Sequence, residues 1–195
     1  MAPPLTDEGD FAVLKTILTY GLIAGFVVAI PMLLQATVLN GHQPLAYAML
    51  IGYATMLIAL SAVFIGIKRY RDTQLGGVIR FWPALALGLG ISMVASVMYV
   101  LAWEGTVAIT HMDFATGYAN ALIKQKQAAG VTGAQLEQFI AEMEKFKADY
   151  ANPFFRLPMT FIEIFPVGVL VSLISAALLR NARLLPARAR VSASV

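Results

Sequence analysis

Asn152-Pro153-Phe154-Phe155-Arg156-Leu157-Pro158-Met159-Thr160-Phe161-Ile162-Glu163-Ile164-Phe165-Pro166-Val167-Gly168 opens an apolar run that ends at Arg180, and between Arg156 and Arg180 it holds a single charge, Glu163. Leu157 to Leu179 is 23 residues long, and a helix needs roughly 20 apolar residues to cross a hydrocarbon core. The segment reads as a membrane helix. At about 1.5 Å rise per residue, Glu163 lies roughly 9 Å inside the Leu157 end. A carboxyl at that depth needs a partner, water or a proton. Pro158 falls in the first turn, where a missing N–H costs nothing, whereas Pro166 removes a donor further in.

The rest of the chain has the same character. Hydrophobic residues make up 59% and charged residues 13% of the 195 residues, against about 45–50% and about 25% in soluble domains. There is no cysteine, so disulfides, thiolate catalysis and cysteine metal sites are excluded. The net charge of +3 does not point to nucleic acid, because the basic residues lie at the ends of apolar segments.

From Thr16 to Ile67 no Asp, Glu, Lys or Arg occurs over 52 residues, enough for two spans joined at Asn40-Gly41-His42-Gln43-Pro44, where Gly and Pro punctuate. The expected spans are 16–39, 45–67, 81–103 and 157–179, in a single membrane domain covering 1–195 with a basic C-terminal tail at 180–195. Four spans put both termini on the side of the Lys68 to Arg80 connection. That side carries nine of the 14 basic residues, so both termini are expected in the cytoplasm. No cleaved leader is expected, since the first apolar run is too long and follows acidic residues.

Small residues recur on three spans: Gly21 and Gly25 in the first, Ala84, Gly88, Ser92 and Ser96 in the third, Gly168, Ser172 and Ala176 in the fourth. This spacing predicts close helix packing. Between the third and fourth spans the chain turns amphipathic over about 110–152. Asp113 is a plausible cap ahead of Phe114, Tyr118 and Leu122, and Gly130 is placed to stop that helix. Thr132 and Gln135 form a capping-box pattern before the stripe Leu136, Phe139, Ile140 and Met143. The region reads as an extracytoplasmic helical hairpin whose stripes pack on each other or lie on the membrane.

Ile67-Lys68-Arg69-Tyr70-Arg71-Asp72, Leu75-Gly76-Gly77-Val78-Ile79-Arg80-Phe81, the Trp103-Glu104 pair and the stretch from Asn152-Pro153 to Arg180 carry a likeness. Over nearly its whole length the chain resembles the bacterial membrane-protein family catalogued as domain of unknown function 4199. The resemblance implies a bacterial cytoplasmic (inner) membrane protein and carries over neither an activity nor a catalytic residue.

Counting inward from the outer ends of the spans brings Gln35, Tyr53, Tyr99 and Ser96 to depths similar to that of Glu163. This predicts a polar layer in which Glu163 hydrogen-bonds a neighbour and fixes helix register. The functional alternative is a proton or cation pathway through Glu163. Glu104 and Asp113, with His111, fall near the outer surface, but two histidines in such a chain read more simply as surface residues than as metal ligands. Lys68, Arg69, Arg71 and Arg80 are expected to contact lipid headgroups or a partner. No phosphate loop, HExxH or nucleophile elbow is present, so no catalytic residue or cofactor is assigned. The reading is therefore a non-enzymatic four-helix membrane protein that partners the lipid bilayer and packs with itself or with another membrane protein. A small proton- or cation-coupled transporter or channel and an envelope sensor using the hairpin are the alternatives.

Overall fold

The computed structural model describes residues 7–38, 45–111 and 113–187. Among them are six α-helices and no strand: α1 Asp7–Val38, α2 Leu45–Gln74, α3 Phe81–Thr110, α4 Phe114–Ala128, α5 Ala134–Tyr150 and α6 Pro153–Leu179. The helices α1, α2, α3 and α6 are each long and apolar enough to cross a membrane. The chain is an all-α integral membrane protein with four transmembrane helices. The short hairpin of α4 and α5 joins the third span to the fourth. The expected turn at 40–44 and the tail beyond Ala187 lie outside the described residues.

Every spanning helix outruns its apolar core. The basic stretch Lys68 to Arg71, expected in a connection, forms the last turns of α2, where Lys68 pairs with Asp72 at i, i+4 (2.6 Å). The connection proper is residues 75–80. It is closed by the backbone N–H groups of Leu75 and Gly77, both donating to the carbonyl of Arg71 at 3.3 and 2.9 Å, with Gly76 and Gly77 at φ 66° and 94°. At the hairpin, Asp113 caps α4 by accepting from the Thr116 N–H at 3.0 Å, and Gly130 at φ 82° ends the turn after it. The capping box expected from Thr132 and Gln135 does not form. Gly133 is the N-cap of α5, at φ 62° and ψ −146° with no side-chain cap, so Thr132 stands one residue outside the capping position. Asn152 caps α6 by accepting from the Phe154 N–H at 3.0 Å, with Pro153 in the position where its missing N–H is harmless.

Chain order does not set the neighbours. α3 packs between α1 and α6, and α2 closes the far side against the same two helices, with only lighter contact to α3 across the bundle. The small-residue stripes explain why. A Cβ added to Gly21 would lie 2.5 Å from Cβ of Val94, and one added to Gly25 would collide with Met98, so α1 and α3 run parallel in close approach. On the other flank of α3, an added Cβ would meet Ser172 at 2.9 Å from Gly88 and Ser92 at 2.8 Å from Gly168. This is a reciprocal glycine–serine register between antiparallel helices. Ser92 Oγ donates to the Gly168 carbonyl at 3.2 Å and lies 3.1 Å from Ser172 Oγ. Both serines are wholly buried, and around them pack Leu60, Ile67, Ile91, Ile164 and Leu179.

The bundle is not equally tight along its length. Residues 49–54 of α2 are all exposed, and a Cβ on Gly52 would meet nothing within 4 Å. Further along α2, a Cβ on Gly66 would meet Ile91 at 2.8 Å and Tyr20 at 2.9 Å. α2 therefore joins the core from Met56 onward and packs loosely at the hairpin end.

Candidate membrane-embedded site around Glu163

Glu163 sits on α6 four and eight residues before Val167 and Val171, which pack against the core shared with Met56, Leu60 and Val63 of α2. One face of α6 is thus covered by α2 lower down and more open at Glu163, where residues 49–54 of α2 pack loosely. The carboxyl is exposed on that flank. Tyr99, reaching from α3, donates its hydroxyl to Glu163 Oε2 at 3.2 Å.

Of the residues expected in one polar layer, Tyr99 and Glu163 are hydrogen-bonded to each other. Ser96 is wholly buried and donates to the Ser92 carbonyl in its own helix at 2.7 Å. Tyr53, exposed on the loosely packed start of α2, makes no hydrogen bond to the pair but lies within electrostatic range of Tyr99. Gln35 is half-buried on α1 but lies higher. Gly25 faces Met98, so Gln35, ten residues beyond Gly25, is roughly 14 Å nearer the hairpin than Tyr99, one residue beyond Met98. Equal counting from span ends failed because α1 and α3 are offset along the bundle.

Above Glu163 the hairpin is fastened to the bundle by Glu104, expected as an outer acid, by Phe114 and Tyr118, expected as an apolar stripe, and by Phe146, given no role in the sequence reading, together with Arg156, Tyr150 and Trp103. The Arg156 guanidinium forks onto Glu104, Nε to Oε1 at 2.7 Å and Nη2 to Oε2 at 2.5 Å, bridging α6 and α3. Its plane also stacks 5.7 Å from the Tyr150 ring. Trp103 Nε1 donates to the Tyr150 hydroxyl at 2.8 Å. Phe114 lies between Trp103 (4.9 Å, edge-on), Tyr118 and Tyr150 (both 5.6 Å), and Phe146 completes the cluster. Burial pushes the Tyr150 phenol up to about 12. The stripe Leu136, Phe139, Ile140 and Met143 is half-buried, with Lys126 of α4 over the Phe139 ring at 5.4 Å.

The two outer acids stay apart. Glu104 is engaged by Arg156, and Asp113 caps α4, where hydrogen bonds from the side chain and backbone N–H of Thr116 hold its carboxyl below the usual range. No group of three His, Cys, Asp or Glu with metal-binding geometry occurs among the described residues. The glycine–serine register would have revealed the Glu104–Arg156 fork. Residues 88 and 92 facing 172 and 168 carry on, at equal steps, to 104 facing 156.

At the opposite end the basic residues divide. Arg69 and Arg80 are exposed and Lys68 is partly buried, but Arg71 is wholly buried and turns away from any headgroup. Its Nε donates to Asp72 Oδ1 at 2.7 Å. Its Nη atoms donate to the carbonyls of Leu179, Leu184 and Leu185 at 3.4, 3.1 and 2.6 Å. The signal was present: Arg71 follows Val63 and Ile67 by eight and four residues on the buried face of α2. Its charge also answers the negative ends of two helices, α2 and α6.

No curated protein and no solved structure matches the chain. A family model matches it over residues 19–181, from within the first span to just past α6, which includes the Glu163 site, the glycine–serine register and the hairpin. The chain belongs to the family described as Protein of unknown function (DUF4199).

Proposed function

We propose that this protein resides in the bacterial cytoplasmic membrane with both termini inside and the hairpin outside, and works by lateral association with another membrane-protein chain. A second copy of itself falls within that reading. The observation that carries it is the position of Glu163: a carboxyl inside the span, on an exposed flank, hydrogen-bonded among the described residues to Tyr99. An acid facing hydrocarbon is costly, and a neighbouring helix that presents a donor removes the cost. The fastened hairpin above and the tight core below keep the α3 and α6 walls of that flank fixed.

Extraction in a mild detergent and native sizing test this directly. The wild type should run larger than a monomer or bring a membrane protein with it. Glu163→Ala should lose the association and Glu163→Gln, which keeps hydrogen-bonding capacity, should retain it. A wild type that runs as a lone monomer contradicts the proposal. Proton- or cation-coupled transport is a second reading, favoured by the Tyr99–Glu163 hydrogen bond. It requires pH-dependent flux in liposomes that the Gln variant loses. Orientation is tested separately by thiol labelling of single cysteines at Arg69 and Lys145, which should react from opposite sides of intact cells.

A further inference from the structure

Arg69, Arg80, Arg180 and Arg183 are all exposed, and none forms an ion pair with a described residue. The packing of the bundle gathers three of them, Arg80, Arg180 and Arg183. Arg80 precedes Gly88 by eight residues and Arg180 follows Ser172 by eight, and Gly88 faces Ser172, so the two arginines lie at one level on adjacent helices. Arg183 is next to Leu184, whose carbonyl, with those of Leu179 and Leu185, binds Arg71 at the end of α2, whereas Arg69, two residues before Arg71 on α2, faces the opposite side of that helix. Asp72, the acid of this neighbourhood, is held by Lys68 and Arg71 at 2.6 and 2.7 Å. On α1, Asp10 and Lys15 are both exposed, and with Asp7 and Glu8 ahead of them in the sequence that helix adds no net positive charge. The α2–α3–α6 side of the rim is left with unbalanced positive charge.

Apolar surface lies beside these cations. Trp82 is 74% exposed and Val78 60% exposed, two residues either side of Arg80. We propose that Arg80, Arg180 and Arg183, with Trp82, form a seat for an anionic phospholipid: guanidinium groups on the phosphate, and Trp82 and Val78 against the glycerol and upper acyl region. Arginine forks suit phosphate, and an indole suits the level where headgroup meets hydrocarbon. A soluble phosphate compound would satisfy the cations and leave the apolar pair unused. The lipid satisfies both. This seat is at the end of the bundle away from Glu163 and is independent of what that residue does.

The test is the thermal stability of the purified full chain in detergent with added phosphatidylglycerol or phosphatidylcholine. Phosphatidylglycerol should raise the melting temperature more than phosphatidylcholine does, and the difference should shrink near 1 M salt, where the screening length falls to about 3 Å. Each arginine changed to glutamine should weaken the apparent affinity by roughly fivefold. The triple variant Arg80→Gln/Arg180→Gln/Arg183→Gln should lose the preference, Arg80→Lys/Arg180→Lys/Arg183→Lys should keep most of it, and Lys124→Gln/Lys126→Gln/Lys145→Gln in the hairpin should keep it entirely. Equal response of the wild type to the two lipids overturns the seat whether or not any variant folds. So does a response reproduced in full by glycerol phosphate, which would mark a site for soluble anions. Loss of the preference in the hairpin variant would place the lipid elsewhere and also overturns it.

Discussion

Glu104 and Arg156 meet as a two-pronged fork across the α3–α6 interface, Nε to Oε1 at 2.7 Å and Nη2 to Oε2 at 2.5 Å. Arg156 stands two turns from Glu163 on the same helix, and its engagement with Glu104 leaves Glu163 to Tyr99. The pair is 14% and 26% exposed, so solvent screens it less than an ordinary surface pair. A double-mutant cycle with Glu104→Gln and Arg156→Gln should give a coupling of about 1–3 kcal/mol. Denaturant melts in detergent read it, and a coupling near zero would show that the aromatic cluster alone holds the hairpin.

The glycine–serine register fixes how α3 meets α6. Gly168→Leu should force the helices apart, since even a Cβ there lies 2.8 Å from Ser92 Cβ, at a cost of about 1–3 kcal/mol or more. Ser92→Ala should cost less, because Ser172 keeps its own bond to the Gly168 carbonyl at 2.7 Å. Equal melting temperatures for the two variants would contradict the close approach.

Arg71 is a clasp between α2 and the end of α6. Arg71→Met removes the guanidinium from three carbonyls and from Asp72, and should destabilise by about 3 kcal/mol or more. Arg71→Lys should recover little, since one ammonium does not reproduce a fork that reaches both Asp72 and carbonyls beyond α6. Full rescue by lysine would show that charge alone is what α6 requires there.

Asp113 makes the first turn of α4 sensitive to acid. Its folded carboxyl is held below the ordinary range by Thr116, so the stabilisation it gives is complete above the unfolded pKa and is lost as pH falls through the folded one. Amide exchange in the first turn of α4 should therefore accelerate on acidification below about pH 4 beyond the intrinsic trend. Asp113→Asn should abolish that extra dependence, and Asp113→Ala should cost about 1 kcal/mol at neutral pH. An unchanged profile in the Asn variant would assign the acid response elsewhere.

Much of this architecture was legible from residue types, and the misreadings have physical causes. Span number followed from the lengths of the apolar runs, and the helix contacts from the recurrence of Gly and Ser. What an apolar helix does not reveal is which side meets protein and which meets lipid, since both are hydrophobic. That is why the loose packing of α2 at residues 49–54 left no trace in the sequence, and with it the exposure of Glu163. Arg71 misled for the opposite reason. Its charge outweighed its place in the Val63, Ile67 and Arg71 stripe, although carbonyls at a helix end can hold a buried guanidinium.

The central claim is that a second protein chain covers the flank around Glu163. The chain has no cysteine, so one introduced at Met159, a turn from Glu163 on the same face of α6 and 43% exposed, carries a photoreactive thiol label unambiguously. Leu101 on α3, 60% exposed, is the control. In native membranes, illumination should give a discrete protein adduct from Met159→Cys, none from Leu101→Cys, and at least roughly tenfold less from Met159→Cys combined with Glu163→Ala, as expected for the loss of about 1.4 kcal/mol or more. Lipid adducts alone at Met159, matching those at Leu101, would contradict the account.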